Sequence, residues 1–300
     1  MDLSKACKIA LDESRLLILG TQVLLGFQFQ ATFRETFPTL PFTSRMVCGA
    51  SLLLMALTVG LLIAPSMQHR IADRGRDSRR LLSAARRYAT ASLVPFGLAL
   101  AGDAYVTSGV VGFGHPVWIA AGLTALALAL WLITPKALQA SLAVEEPDIT
   151  MKPTSLDARV EQMLTEARVV LPGAQALLGF QLIAIFSATF EKLADGVKTA
   201  HWLALAGVMV GTMLLITVPI IHRVSFRGAD DERFLRIGAG LVLTAPASIA
   251  FGLVIDAHVA LGIAGLAFGP ALAASVVLGS ALLSLWFAWP LWLRRRMGSD

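Results

Sequence analysis

Polar side chains that could take part in chemistry recur within otherwise apolar segments of this 300-residue chain. Two segments carry the pattern Gly-x-Gln-x-Leu-Leu-Gly-Phe-Gln, which contains Gln22 and Gln28 in the first and Gln175 and Gln181 in the second. An amide in hydrocarbon seeks a hydrogen-bond partner on a neighbouring helix, and glycine lets two helices approach closely. These glutamines therefore either hold helices together or line a polar path for a substrate or ion.

Two aspartates, Asp103 and Asp256, are predicted to lie within or at the edge of apolar segments. A carboxylate inside a membrane indicates an ion or proton site, because an uncompensated charge is costly there. The helical rise per residue, counted from the nearest arginines, places Asp103 nearer the outer surface than the midplane and Asp256 at the outer interface. Each is therefore either an interfacial carboxylate in contact with water or a site for a proton or cation.

Charged and titratable groups also cluster where the same segments are expected to meet the cytoplasm. They form three matched pairs: Glu13 and Glu166, Arg15 and Arg168, and His69 and His222. An arginine at the end of a span usually extends to lipid headgroups, and the alternative is a salt bridge between helices. A histidine at a helix carboxyl end either contacts headgroups with help from the helix dipole or gates by titration near neutral pH.

The composition that surrounds these residues is that of a membrane protein. Of the residues 56% are hydrophobic and 15% are charged, whereas an average soluble domain is about a quarter charged. Lipid requires no polar surface to cover an apolar exterior, and about 20 apolar residues suffice for a helix to cross a bilayer. Eight spans are predicted, at 16–33, 46–65, 88–106, 116–135, 169–190, 202–221, 237–255 and 270–293.

The apolar stretch 259–293 is too long for one untilted span, and Gly269-Pro270 is the predicted break within it. Residues 259–268 are then expected to lie at the outer surface or to re-enter the membrane. Proline is tolerated in the first turn of a helix, so Pro116 and Pro270 are predicted to begin the fourth and eighth spans.

Basic residues set the direction of the spans, because cytoplasmic loops carry an excess of lysine and arginine. With the amino terminus inside, the cytoplasmic segments hold 21 of the 25 basic residues. The outer loops keep only Arg34, Arg45, Lys192 and Lys198. We therefore predict that both termini are cytoplasmic and that the basic loops contact anionic headgroups.

The second half of the sequence repeats the first. The 25 residues from Glu13 and those from Glu166 are identical at 13 positions, at a constant offset of 153 that also aligns the histidines and aspartates above. Four spans per copy is an even number, so the copies run in the same direction, and a pseudo-twofold axis along the membrane normal is expected. The predicted fold is an all-α integral membrane protein, with one four-helix repeat at 1–140, a cytoplasmic linker at 141–165 and a second repeat at 166–300.

The sequence offers no sign of an enzyme. It contains no glycine-rich nucleotide loop, no His-x-x-x-His metal spacing and no nucleophile–base pair. Cys7 and Cys48 form no disulfide or metal-binding pattern and are expected to be small buried or interfacial side chains. No cofactor, metal or nucleic-acid partner is predicted.

Three features together resemble a family of uncharacterised bacterial, mainly actinobacterial, multi-pass membrane proteins, whose unit would occur here twice. They are the Glu-x-Arg start, the Gly-x-Gln-x-Leu stretch and a second helix ending in Pro-x-x-x-His-Arg, which Pro65 to Arg70 matches. In the second copy the proline moves to Pro219, ahead of His222 and Arg223. The resemblance implies the inner membrane of a bacterium, and the automatic label of some members implies a sodium:proton antiporter.

The favoured function is a small transporter or channel for a proton or small cation. Its polar site would lie between the repeats, lined by the four glutamines, with Asp103 and Asp256 at its outer mouth. The alternative is a structural or signalling membrane protein whose basic cytoplasmic loops bind anionic lipid or a partner. The two functions differ in whether the glutamine faces surround water or pack dry against neighbouring helices.

Overall fold

The computed structural model describes residues 2–142 and 154–297, and within these ranges the chain forms helices, turns and short connections. Residues 143–153, which belong to the predicted linker, lie outside the described residues. Eight long helices follow one another: α1 (Leu3–Ala31), α2 (Phe42–Ile71), α3 (Arg79–Val111), α4 (Pro116–Leu128, continuing to Leu142), α5 (Leu156–Ile185), α6 (Asp195–Val224), α7 (Glu232–Ala264) and α8 (Phe268–Leu283, continuing to Met297). Short helical turns at Phe37–Thr39 and Ala188–Glu191 join α1 to α2 and α5 to α6.

The two halves of the chain start and end their third helices with the same devices. Helix α3 follows Ser78, whose hydroxyl accepts a hydrogen bond from the backbone of the first turn, and α7 follows Asp231, which does the same. Both helices end at a glycine in the left-handed conformation, Gly112 at a φ of 86° and Gly265 at 104°. These equivalent caps match the internal repeat of the sequence.

Gly265 ends α7, so the predicted break at Gly269-Pro270 is wrong by four residues. Residues 259–264 do not lie along the outer surface or re-enter; they form the last turns of α7. A residue with a side chain adopts the left-handed conformation only at a cost, and Gly265 provides it where the helix stops. Pro116 is the first residue of α4 as predicted, and Pro270 lies in the first turn of α8.

Helices α4 and α8 each contain one wider, π-helical turn, at Ala129–Ile133 and Ser284–Ala288. Each turn comes just before a proline, Pro135 or Pro290. Proline has no N–H to donate and its ring clashes with the preceding turn, and a π-turn lets the helix continue past it.

Seven of the helices, α2 to α8, are long and apolar enough to cross a membrane. This finding indicates a multi-pass membrane protein. Helix α1 falls short by composition because Arg15 and three glutamines, Gln22, Gln28 and Gln30, interrupt its apolar residues. Its repeat partner α5 does qualify, and α1 packs along α5. We name the end of the bundle that carries the turns 72–78 and 225–231 the basic end, and the end that carries Gly112 and Gly265 the opposite end.

The contacts between the two halves are asymmetric within the described residues. Helix α2 packs against α7 and α8, whereas α6 makes no comparable contact with α3 or α4. Small residues on α2 allow this approach, since Gly49 faces Leu261 and Gly60 faces Leu282. The equivalent positions on α6 hold bulky residues, Trp202 and Met213, and both are exposed. A pseudo-twofold arrangement would give each of these contacts twice, once from α2 and once from α6. In the described residues they occur only from α2.

The crossing of α1 and α5 is also asymmetric. One matched pair of glycines, Gly26 on α1 and Gly179 on α5, can test this. A Cβ added to Gly26 would lie 2.0 Å from the ring of Phe180, whereas one added to the equivalent Gly179 would meet nothing within 4 Å. Gly26→Ala is therefore expected to lower the free energy of unfolding by about 1–3 kcal/mol through overpacking. Gly179→Ala should be neutral or stabilise by up to about 1 kcal/mol.

Unfolding of both variants by SDS in mixed micelles, followed by circular dichroism, measures the difference. Equal stabilities for the two variants would contradict the asymmetric crossing.

Candidate functional site

A buried carboxylate lies near the opposite end of the second half. Asp256, on α7, is 1% exposed. Its Oδ1 lies 2.8 Å from Nδ1 of His201, on α6, and its Oδ2 accepts a hydrogen bond of 2.5 Å from Nε2 of Gln181, on α5. Three helices thus bring together one carboxylate, one imidazole and one amide, which we call the Asp256 site.

The hydrogen bonds of the Asp256 site define its proton content. Nε2 of His201 lies 3.1 Å from the backbone carbonyl oxygen of Gln181, which can only accept, so Nε2 carries a hydrogen. One further proton must lie between Nδ1 of His201 and Oδ1 of Asp256, because two lone pairs would otherwise face each other. Whether that proton resides on the imidazole or on the carboxyl group, the pair has no net charge. The pair therefore holds one exchangeable proton away from water.

Aromatic rings from both halves of the chain enclose the imidazole. His201 is 0% exposed. Its ring centroid lies 5.6 Å from that of Phe29 and 5.7 Å from that of Phe33, both in the first half, and 5.5 Å from that of Phe190 in the second. Beyond His201 a surface depression of about 340 Å³ is lined by Lys198, Thr199 and Trp202 among others. The histidine thus separates the carboxylate from the surface at the opposite end.

The first half contains the same carboxylate–amide pair without the histidine. Nε2 of Gln28 donates to Oδ2 of Asp103 at 2.7 Å, and Asp103 is half-buried. The residue equivalent to His201 at the offset of 153 is Cys48. Only the second half therefore combines a fully buried carboxylate with a titratable partner.

The sequence prediction of Asp256 at the outer interface stays a prediction, and His201 is not among the residues that the sequence singles out. Asp256 is followed by eight further residues of α7, so it lies about 12 Å from the helix end rather than at it. The predicted sixth span begins at 202, one residue after the histidine, so the prediction leaves His201 outside the membrane. The one sequence feature that relates His201 to the first half is the repeat offset, which aligns it with Cys48.

The four glutamines occupy different environments rather than lining one path. Gln28 and Gln181 each pair with the aspartate of their own half. Gln22 is buried at the crossing of α1 and α5, against Gly173, and Gln175 is exposed. Among the described residues the four glutamines thus share no common hydrogen-bond partner, and a polar site between the repeats stays a prediction.

A second buried carboxylate lies towards the basic end, between the two halves. Glu166, on α5, is 3% exposed. Its Oε1 lies 2.7 Å from Nδ1 of His69 and its Oε2 accepts from Nε of Arg70, both on α2. The interhelical salt bridge, the alternative to headgroup contact, occurs at Glu166, and its partner Arg70 belongs to the basic segment that follows the predicted second span. We call these three residues the Glu166 cluster.

The remaining residues predicted for the cytoplasmic mouth do not repeat the Glu166 cluster. Glu13, Arg15 and Arg168 are exposed. His222 is half-buried, and its ring packs on that of Phe234 at 4.6 Å between centroids. The glutamates and the histidines of the matched pairs therefore differ in environment between the two halves, whereas both arginines are exposed.

The turn after α2 is fastened to the start of the second half. Oδ1 of Asp77 accepts a hydrogen bond of 2.7 Å from Nε2 of Gln162, and the backbone N–H of Asp77 donates to Oγ1 of Thr154 at 3.0 Å. Burial raises the pKa of the neighbouring Asp73 carboxyl above its usual range. Burial also raises the pKa of the Cys7 thiol to about 12. Cys7 is thus a small buried side chain, as predicted, and stays protonated.

Two stretches of the chain, residues 5–135 and 151–291, match the Family of unknown function (DUF6328). The chain belongs to this family. It contains the DUF6328 unit twice in tandem, which confirms the duplication inferred from the repeat. No curated protein and no solved structure matches the chain. The sodium:proton label implied by the resemblance stays a prediction.

Proposed function

We propose that this DUF6328 protein is an eight-span transporter of protons, alone or exchanged for a small cation, in the bacterial inner membrane. The observation that carries the proposal is the Asp256 site, in which His201 and Asp256 share one proton in a buried, uncharged pair. An intramembrane carboxylate with no arginine or lysine beside it is typical of proton and cation pathways. Gaining or losing the shared proton changes the net charge of a dry site, and that change can drive a rearrangement.

Two polar clusters at opposite ends of α5 support this proposal. Gln181 of the Asp256 site and Glu166 are 15 residues apart on the same helix, a rise of about 22 Å. A depression reaches His201 at the opposite end, and the Glu166 cluster closes the contact between the halves towards the basic end. In the proposed cycle, a proton reaches Asp256 through His201 and leaves after the Glu166 cluster separates.

The proposal also includes α1 as the eighth span and both termini in the cytoplasm. Helix α1 is 29 residues long and packs along α5, its repeat partner, which qualifies as a span. One of its amides, Gln28, finds a partner in Asp103 on α3, which lowers the cost of placing it in lipid. The excess of arginine at the basic end supports a cytoplasmic position for that end. A local pseudo-twofold axis would pass through the crossing of α1 and α5.

The alternative is a membrane protein that transports nothing. The tight packing of Gln22 against Gly173 favours it, because an amide held between helices without water serves as a structural contact.

Proton flux into proteoliposomes separates the two functions. Liposomes that contain the purified protein and a trapped pH-sensitive dye are given a pH gradient, with and without an opposing sodium or potassium gradient. Wild-type protein is expected to dissipate the gradient faster than empty liposomes. Asp256→Asn and His201→Gln should each slow this flux by about tenfold or more, since a positioned acid–base group contributes at least that much to a proton transfer.

Asp230→Asn is the control, because Asp230 is an exposed carboxylate of the same half at the basic end. It should leave the flux unchanged. Wild-type flux equal to that of empty liposomes, or equal flux in Asp256→Asn and Asp230→Asn, would overturn the transport proposal in favour of the alternative.

A further inference from the structure

Four basic side chains of the second half surround a concavity at the basic end. The concavity has a volume of about 360 Å³ and lies between α5, the end of α6 and the turn after it. We call it the basic pocket. It is lined by Arg168, His222, Arg223, Arg227, Leu164, Pro219 and Gly228.

The same residue types in the first half have an anionic partner. The equivalents of His222 and Arg223 are His69 and Arg70, and both contact the carboxylate of Glu166. The residue of the first half that could return this contact is Glu13, the equivalent of Glu166. Glu13 is exposed, and in the described parts of the chain it forms no ion pair with His222 or Arg223. The contact in the first half therefore shows that this histidine–arginine pair binds a carboxylate. In the second half, the equivalent pair His222 and Arg223 has no such carboxylate among the described residues.

The charge of the basic pocket is not balanced by the residues that line it. No carboxylate is among them, and within residues 2–142 and 154–297 none of its three arginines is in an ion pair. Guanidinium groups stay charged at any physiological pH, so the three arginines keep their mutual repulsion. Nε2 of His222 is buried and has no hydrogen-bond partner among the described residues. An anion in the pocket would neutralise this repulsion and give Nε2 of His222 an acceptor.

We propose that the basic pocket binds the phosphate group of an anionic phospholipid. Phosphate accepts charge-assisted hydrogen bonds from guanidinium groups, as the Glu166 carboxylate accepts one from Nε of Arg70. The pocket lies at the end of the spans, the level of the headgroups, and basic pockets between helices on the cytoplasmic side suit such headgroups. Leu164 and Pro219 add an apolar wall that a lipid can cover and a free phosphate ion cannot. This proposal does not depend on transport.

Binding of short-chain phosphatidylglycerol to the full-length protein in a neutral detergent tests the proposal. The double variant Arg168→Gln/Arg223→Gln should bind it about tenfold more weakly or less, since it loses two charge-assisted hydrogen-bond donors. The control is Arg233→Gln/Arg236→Gln, which removes the same charge from exposed arginines outside the pocket. The control should bind phosphatidylglycerol as the wild type does.

Two further ligands keep the test decisive if the double variant fails to fold. Wild-type protein should bind short-chain phosphatidylcholine, whose headgroup carries no net charge, and inorganic phosphate about tenfold more weakly than phosphatidylglycerol. Inorganic phosphate binding as tightly as phosphatidylglycerol would overturn the lipid source in favour of a free anion. Equal losses in the pocket variant and the control, or equal binding of the two lipids, would overturn the pocket itself.

Discussion

Replacing Glu166 by glutamine is expected to lower the free energy of unfolding by about 3–5 kcal/mol, because it leaves a buried cation without its counter-ion. The side chain of Arg70 is almost fully buried beside Glu166, and its guanidinium group cannot lose its proton to escape the low dielectric. The substitution also removes the ionised acceptor that lies 2.7 Å from Nδ1 of His69.

The effect should be large for a second reason. The Glu166 cluster joins α5 of the second half to α2 of the first, so it stabilises the arrangement of the two halves as well as one helix. Losing it should therefore change the protease sensitivity of the region between the halves as well as the unfolding midpoint.

The repeat provides the control for this experiment. Glu13→Gln makes the same chemical change at the equivalent residue, which is exposed, and should alter stability by less than about 0.5 kcal/mol. A double-mutant cycle with Arg70→Gln should show a coupling of about 0.5–3 kcal/mol, since the second change removes the stranded charge. Equal effects at Glu13 and Glu166, or additivity in the cycle, would contradict the assigned ion pair. SDS-induced unfolding in mixed micelles gives all four free energies.

Much of the fold could be predicted because membrane helices leave strong periodic and compositional signals. The repeat offset identifies the polar residues that recur in both copies. Each half accordingly has one amide–aspartate pair, Gln28–Asp103 in the first and Gln181–Asp256 in the second. The break before the last helix was misplaced because Pro270 is a conspicuous signal, whereas Gly265 ends α7 through its conformation alone.

The different environments of the matched glutamates and histidines could not be predicted from the repeat itself. Identical residues at equivalent positions predict identical contacts, and the structure gives Glu166 a buried role that Glu13 lacks. The difference originates at positions where the copies diverge. Gly49 and Gly60 on α2 admit the second half, whereas Trp202 and Met213 stand at those positions on α6. Residues that differ between the copies therefore determine how the shared polar residues are used.

Trp286 is the clearest example of a shared residue used in one half only. It lies in the π-helical turn of α8, is 1% exposed, and its Nε1 donates to the carbonyl oxygen of Gly60 at 2.8 Å. After a two-residue slip in the repeat offset, its equivalent is Trp131, which is half-buried within the first half. There it stacks on Phe96 at 5.6 Å between ring centroids. Trp286 thus connects the halves, and Trp131 does not.

Trp286→Ala is accordingly expected to lower the free energy of unfolding by about 3–5 kcal/mol, the cost of emptying a well-packed aromatic site. Trp286→Phe, which keeps most of the ring volume but removes the N–H donor, should cost about 1 kcal/mol for the lost hydrogen bond. Unfolding of both variants in mixed micelles separates packing from hydrogen bonding at the contact between the halves.

Trp131→Ala is the matched control for this series. Because Trp131 is partly exposed and touches only its own half, its loss should cost about 1–2 kcal/mol, within the ordinary range for single substitutions. It should also leave the contact between α2 and α8 intact. That contact can be followed by a cysteine crosslink between Gly60→Cys and Leu282→Cys, residues that face each other across it. Loss of the crosslink in Trp131→Ala, or its full retention in Trp286→Ala, would contradict the connecting role assigned to Trp286.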